Sequence, residues 1–538
     1  MAPHTPPTLG SAPAEPWRSS AVAPRADLVG LAAAVVTLIA LAALLVWPVV
    51  VVLVLGLVSP PPPLAVVGFT VAVAVASTLG ALGLAAVVAA AARAGVSGGR
   101  TLLGICRVGL LLPPFVVPVA MLALAGRGGV LDRWLGDDAL GGPASIVVAQ
   151  ALAFLPHAVA LVMRALAGVS ADAEQAAELL GASRWTVLRR VTLGLAWPRL
   201  TGAALVVLGL CLADVATPLL VGGEARMLAV FIVSPADTTA TWAGGALALS
   251  VLTLAVALAG RTWRETAAPF AGGGTSSARR KSTGATRVVL TTLAWASAAA
   301  LLVLWVTVPV ASLLGPRGGW HLTLEPWGIL LRSAWSLGHS VLLGLGVAFV
   351  GTGLALAIAA VAADGHKLAA GATMWLTRVP VVIPGVVAGI GYVMAFETPH
   401  GDLALLALVV AAWQLPLTLP VAADVLARAD RATEYAALSL GAGRLTTLRH
   451  VVLPALNPAA AWIFGHGFAA GLTAVGTVLV IAQRSHLGLG VTDMLRLATL
   501  GAAGPACAFA TALVVLAGVA TLLGRAVAGR ETIPTLLA

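Results

Sequence analysis

Two polar, Arg-bearing stretches stand out from an otherwise apolar chain, and they are near-copies of each other. Residues 174–198 read EQAAELLGASRWTVLRRVTLGLAWP, and residues 434–458 read EYAALSLGAGRLTTLRHVVLPALNP. Aligned without a gap, at an offset of 260, 13 of 25 positions are identical. Glu174, Ala177, Glu178 and Gly181 fall at helical spacing on one face, and Glu434, Ala437, Leu438 and Gly441 repeat the set. The chemistry on offer is recognition rather than catalysis. Small Ala and Gly residues let another protein's surface approach a helix backbone closely, and Gly181 and Gly441 suit the turn at which a helix ends. Arg184 and Arg189, with Arg444 and Arg449 in the second copy, present cations to acidic groups on a partner or on anionic lipid. A polar loop of this kind is expected to dock a soluble partner, twice because the partner comes twice.

Other chemistry-bearing residues are sparse. Asp214, in LADVATPLLVGG (212–223), is an acidic residue inside an apolar run, and such residues are costly unless they serve a pathway or a local cap. It is the one residue assigned to a substrate pathway. His157, His339 and His466 stand singly in or near apolar runs, so close packing with a local hydrogen bond is expected rather than metal ligation. Cys106, Cys211 and Cys507 sit in apolar runs at unrelated spacings and read as inert small hydrophobes. No metal and no cofactor is called for. Neither HExxH nor a GxGD pair occurs, which sets a membrane-embedded enzyme aside.

The elements that must hold these residues can be read from composition. The 538 residues are 60% hydrophobic and 10% charged, with a mean hydropathy of +1.02. A water-soluble fold could not hide so much apolar surface. Apolar windows of about 20 residues recur, the length of a membrane-crossing helix. They do not alternate, and they are rich in Ala, Leu and Gly, which excludes a barrel. Twelve spans are expected in an all-α membrane protein, near 28–58, 64–92, 105–126, 143–166, 199–220, 242–260, 287–314, 338–363, 372–397, 402–427, 459–482 and 503–524. Residues 1–27 read as a disordered tail, 28–260 as a first half, 261–286 as a Gly/Ser linker, 287–524 as a second half and 525–538 as a tail. The net charge of +10 reflects loops facing the cytoplasm rather than nucleic acid, since no aromatic residues interleave with the basic ones. With the N-terminus inside, the cytoplasmic loops hold 24 of the 31 Lys+Arg and the external loops hold 7. Both termini and both repeated loops then face the cytoplasm of a prokaryotic inner membrane. LLPPFVVP (111–118) and RVPVVIP (378–384) also correspond, with Pro114 and Pro118 matching Pro380 and Pro384. Because both halves begin on the same side, the repeat is parallel.

The repeated loop resembles the EAA signature of binding-protein-dependent ABC importer permeases, whose pattern is EAA, three residues, Gly, nine residues, an aliphatic, one residue, then Leu-Pro. Ala436, Ala437, Gly441, Val451, Leu453 and Pro454 fit it, as do Ala176, Ala177, Gly181, Val191 and Leu193, whereas Gly194 replaces the Pro. The Glu slot holds Gln175 and Tyr435, with the acid one residue earlier at Glu174 and Glu434. The resemblance implies a type I permease fold of two fused six-helix halves. It also implies short coupling helices seated on two copies of a cytoplasmic ATPase, and an extracytoplasmic solute-binding protein. Under it, Glu174, Ala176, Ala177, Gly181, Arg184, Glu434, Ala436, Ala437, Gly441 and Arg444 are the coupling residues. The chain has two lysines, Lys281 and Lys367, and neither lies in a G-x-x-x-x-G-K-[ST] loop, so ATP hydrolysis is assigned to another chain. LADVATPLLVGG is similar to a stretch in permeases for ferric iron, aminophosphonate and polyamines, with Val215 and Ala216 departing from it. Ferric iron, or a small organic solute such as 2-aminoethylphosphonate, is the expected substrate. The alternative is a secondary transporter of the major-facilitator kind, which predicts no ATPase-docking loop.

Overall fold

The computed structural model describes residues 28–126, 129, 131, 140–233, 239–266, 284–315, 321–363, 371, 373, 375–396, 403–428, 431–485 and 487–529. Residues 1–27 and 530–538 of the expected tails, residues 267–283 of the linker and residues 127–139 apart from 129 and 131 lie outside them; the expected tail from 525 begins inside the helix Ala503–Ala528. The described chain is helical, and its one β contact is an isolated bridge between Leu314 and Leu322.

Nine described helices are long and apolar enough to cross a membrane, and the pair Pro143–Ala153 and Leu155–Ala167, bent by 53°, makes a tenth. The bend falls just before Pro156, whose missing N–H and ring cannot continue the ladder. The long helices carry large apolar side chains outward, among them Val54, Leu79, Val303, Phe349 and Leu523, as a lipid-facing surface requires.

The remaining two apolar segments differ from expectation. The span placed at 105–126 is broken at Pro113–Pro114 into Gly99–Gly109 and a short helix, Val116–Ala125. The span placed at 372–397 resolves into Val379–Val382 and Gly385–Phe396 on either side of Pro384. Helices of 10 and 12 residues reach only about 15–18 Å, roughly half a hydrocarbon core. They are accordingly buried by protein: Val116, Val117, Val119 and Ala120 are fully covered, as are Val386, Val387, Ile390 and Tyr392.

The two halves are interleaved. The helix Trp47–Val58 packs on the last helix of its own half, Thr239–Thr266, and on Gly385–Phe396 of the other half. In the same way, Ala285–Ala311 packs on Ala503–Ala528 and crosses to Val116–Ala125 and Leu64–Arg93. Gly391 permits one of these approaches, since a Cβ there would lie 2.5 Å from the carbonyl oxygen of Pro48. A hydroxyl tie recurs in both halves: Leu228 N–H donates to Thr70 Oγ1 at 2.7 Å, and Gly490 N–H donates to Ser340 Oγ at 2.8 Å. Thr70 and Ser340 stand at equivalent points of the two 30-residue helices, Leu64–Arg93 and Ala334–Ala363.

Candidate coupling site

The first repeated stretch opens with Ala171–Leu179, whose N-terminus is capped by Ser170 accepting from Asp172 N–H at 3.2 Å. The helix ends in a left-handed turn. Gly181 has φ +83°, and Ala182 N–H closes onto Ala177 O at 3.0 Å. The second copy repeats this in Arg431–Ser439, with Gly441 at φ +85° and Ala442 N–H on Ala437 O at 3.0 Å. An L side chain at either glycine would sit in the disfavoured αL region.

Beyond each glycine turn the chain returns to helix rather than loop. Helix resumes at Arg184 in the first half and Arg444 in the second, well before the expected span starts at 199 and 459. Each restart passes through a π-helical segment, Val187–Thr192 or Leu448–Val452, and continues into a 21-residue helix, Leu193–Ala213 or Leu453–Thr473. The EAA-type stretch is therefore a short helix joined by a glycine turn to the foot of a span. The two copies stand at corresponding places in the two halves, each following an apolar helix, Leu155–Ala167 or Leu403–Arg428, and leading into the next.

Glu174 does not share the water-facing side expected of it. It is 2% exposed, accepts Arg93 Nη2 at 2.9 Å, and accepts Thr192 Oγ1 at 2.5 Å. Periodicity places it with Glu178 and Gly181, but its partner Arg93 lies 81 residues upstream, beyond the reach of any local pattern. Ala176, Gly181 and Arg184 are exposed and Ala177 is half-buried. Ala436 and Gly441 are exposed and Ala437 half-buried in the second copy, while the side chains of Glu434 and Arg444 lie outside the described set.

The residues that sequence reasoning passes over are apolar. Leu179 and Leu180 are each 89% exposed, Trp185 is 67% exposed and Leu440 is 88% exposed. Leu179, Leu180 and Leu440 flank the glycine turns, where water rather than lipid is expected. Large apolar side chains grouped in this way mark a contact surface. The signal is present in the sequence as Leu-Leu-Gly and Ser-Leu-Gly, but a leucine in a helix is ordinarily read as core.

At the far end of the spans, Leu193–Ala213 stops at Asp214 and Leu453–Thr473 stops at Ala474, both in extended backbone. Asp214 Oδ1 accepts Thr217 N–H at 3.2 Å, and Gln150 Nε2 donates to Asp214 Oδ2 at 3.2 Å. The carboxylate thus holds the break and the short helix Ala216–Val221 after it. Gln150 Oε1, buried beside it, has no hydrogen-bond partner among the described residues. His339 meets Gly488 O at 3.1 Å, while His466 meets Gln414 Oε1 at 3.2 Å and stacks on Trp462. His157 packs edge-on against Phe154, and its Nδ1 has no hydrogen-bond partner among the described residues. The three cysteines are free and buried.

Comparison with known proteins points to one family. Residues 81–262, which contain the first short helix and its π-helical foot, match the binding-protein-dependent transport system inner membrane component. Over that stretch of its first half the chain is similar to this permease family. It is 26% identical over 412 residues to a putative ferric transport system permease protein of Haemophilus influenzae, covering 69% of this chain and 63% of that one. It is 25% identical over 449 residues to a ferric transport system permease protein of Actinobacillus pleuropneumoniae, covering 76% and 63%. A molybdenum transport system permease protein of Haemophilus influenzae is 32% identical over 137 residues, covering 24% of this chain and 60% of that one. The chain therefore spans about 63% of the length of the ferric-transport relatives.

Proposed function

We propose that this permease forms the substrate path of an ATP-driven importer and takes its energy from a separate ATPase seated on the two short helices. The observation that carries this reading is the duplicated, glycine-terminated helix with Leu179, Leu180 and Leu440 turned outward. A secondary transporter has no use for two such surfaces. Two ATPase subunits, one per copy, and an extracytoplasmic solute-binding protein complete the assembly in a prokaryotic inner membrane, with the short helices and both termini in the cytoplasm. Ala176, Ala177, Gly181, Arg184, Ala436, Ala437, Gly441 and Arg444 make the docking faces; Glu174 positions the first of them, and Glu434 is its counterpart in the second copy.

The path runs between the halves, where the apolar helices are broken. Interrupted helices in corresponding positions of two repeats point to a transport site, and Val116–Ala125 with Gly385–Phe396 form such a pair. Asp214 belongs to this path as the residue that fixes the break after Leu193–Ala213. Ferric iron is the proposed substrate, ahead of 2-aminoethylphosphonate, because the ferric-transport relatives match the greater share of the chain. The test is uptake of radiolabelled ferric iron into vesicles holding the permease with its ATPase and binding protein. Accumulation that needs ATP inside and the binding protein outside is expected. Accumulation driven by a proton gradient without ATP would sink the reading in favour of a secondary transporter.

A further inference from the structure

The two docking helices are copies in backbone, but the residues aligned with the first one's ties differ in the second half. Glu174 reaches two structural elements directly and a third through Arg93. Arg93, the last residue of Leu64–Arg93, donates Nη2 to its carboxylate at 2.9 Å and directs Nη1 at Leu166 O, 3.5 Å away, near the end of Leu155–Ala167. Thr192, at the end of the π-helical foot, donates its hydroxyl to the same carboxylate oxygen at 2.5 Å. Arg199 adds a second tie from the adjoining span, with Nη1 3.4 Å from Gly168 O. The first short helix is thus fastened to the feet of three spans by one buried acid.

The second half lacks two of these parts. Its counterpart of Thr192, at the constant offset of 260, is Val452. Its counterpart of Arg93 is found by setting GLAAVVAAAARAG (83–95) against GLALAIAAVAADG (353–365), in which Ala363 takes the arginine's place. Glu434 is retained, but neither aligned position offers it a donor. A charge-assisted hydrogen bond has a specific geometry, and breaking a buried one leaves an unpaired charge, so motion at one end is resisted at the other.

We infer that Arg93, Glu174 and Thr192 form a positioning lock. It makes the first docking helix move as one body with the span Leu64–Arg93, through donors for which the second half has Val452 and Ala363 at the aligned positions. The inference rests on the ATPase-docking reading and deepens it by giving the first ATPase contact a direct route into the bundle. Nucleotide-driven motion at the first contact passes directly to Leu64–Arg93, which borders Ala285–Ala311 of the other half.

The experiment places spin labels at Leu64→Cys and Trp335→Cys, exposed residues at the far ends of the two equivalent 30-residue helices, in the full chain assembled with its ATPase subunits. The native cysteines are buried and stay unlabelled. Distances between the labels are measured without nucleotide and after trapping with Mg-ATP and vanadate, alongside the ATP hydrolysis rate. The lock predicts that Arg93→Met and Glu174→Gln each lower the nucleotide-driven population roughly tenfold, within the usual range of coupling between sites. Hydrolysis should persist, the double variant should be no worse than either single one, and Arg93→Lys should restore most of the shift. A merely structural role would lower thermal stability and leave the trapped population unchanged. If Arg93→Met fails to assemble, Thr192→Val carries the test, since it installs the residue the second half already uses. Variants that hydrolyse ATP and shift as wild type does would overturn the lock alone. A wild-type chain that assembles with no ATPase overturns the transport reading and the lock together.

Discussion

Gly181 and Gly441 separate two reasons for a glycine. Both hold φ above +80°, and a Cβ added at either meets no protein atom within 4 Å. Within the chain a side chain at these positions is therefore opposed by backbone strain alone, about 1–2 kcal/mol for an ordinary L residue. Asn tolerates αL and Val does not. Gly181→Val should weaken co-purification with the ATPase both by unwinding the turn and by its bulk. Gly181→Asn keeps the turn and isolates the bulk. If Gly181→Asn also loses the ATPase while the permease keeps its melting temperature, the glycine is there for a close-fitting partner. If Asn is accepted, it is there for the turn. The spacing of these glycines is enough to place the turn from sequence, because a Schellman ending is a local device. Spacing alone misplaces Glu174, because its role depends on Arg93 and Thr192, and no residue within one helical turn hints at either.

The helices that depart from expectation are those interrupted by proline or by close crossings. Hydropathy finds apolar segments whether or not they run straight, so 105–126 and 372–397 count as ordinary spans by that measure. Pro113 and Pro114 in one case and Pro384 in the other show where they break, yet proline also occurs inside continuous helices here, at Pro198, Pro309 and Pro458. What separates the two outcomes is whether neighbours bury the freed backbone, and that is a tertiary property. Gly391 tests the consequence. A methyl at that position would press on the Pro48 carbonyl, and the backbone there has no flexible end to swing aside. Gly391→Ala should cost about 1–3 kcal/mol as overpacking and lower the melting temperature in detergent. Gly83→Ala, with nothing within 4 Å of the new methyl, should stabilise its helix by roughly 0.5–1 kcal/mol. A neutral Gly391→Ala would mean that the crossing of Trp47–Val58 over Gly385–Phe396 is looser than the structure has it.

At the scale of the whole molecule, the parallel repeat is readable from the offset of 260, but the exchange of first helices between halves is not, because a repeat fixes what each half contains and leaves open which half it packs on. The contacts of Ala285–Ala311 with Val116–Ala125 and Leu64–Arg93, and of Trp47–Val58 with Gly385–Phe396, make each short helix depend on the opposite half for its cover. A half expressed alone would expose a helix of 10 or 12 residues, too short to satisfy the bilayer by itself. Cutting the chain within residues 267–283 leaves all these contacts in place. Two polypeptides, 1–274 and 275–538, co-expressed from separate start codons should therefore assemble, co-purify in mild detergent and bind the ATPase at near wild-type yield. Either piece expressed singly should be degraded, or recovered only as aggregate. Recovery of one half as a stable monomer with its short helix protected from cysteine labelling would contradict the interleaved packing, and would return the molecule to two six-helix units joined by a tether.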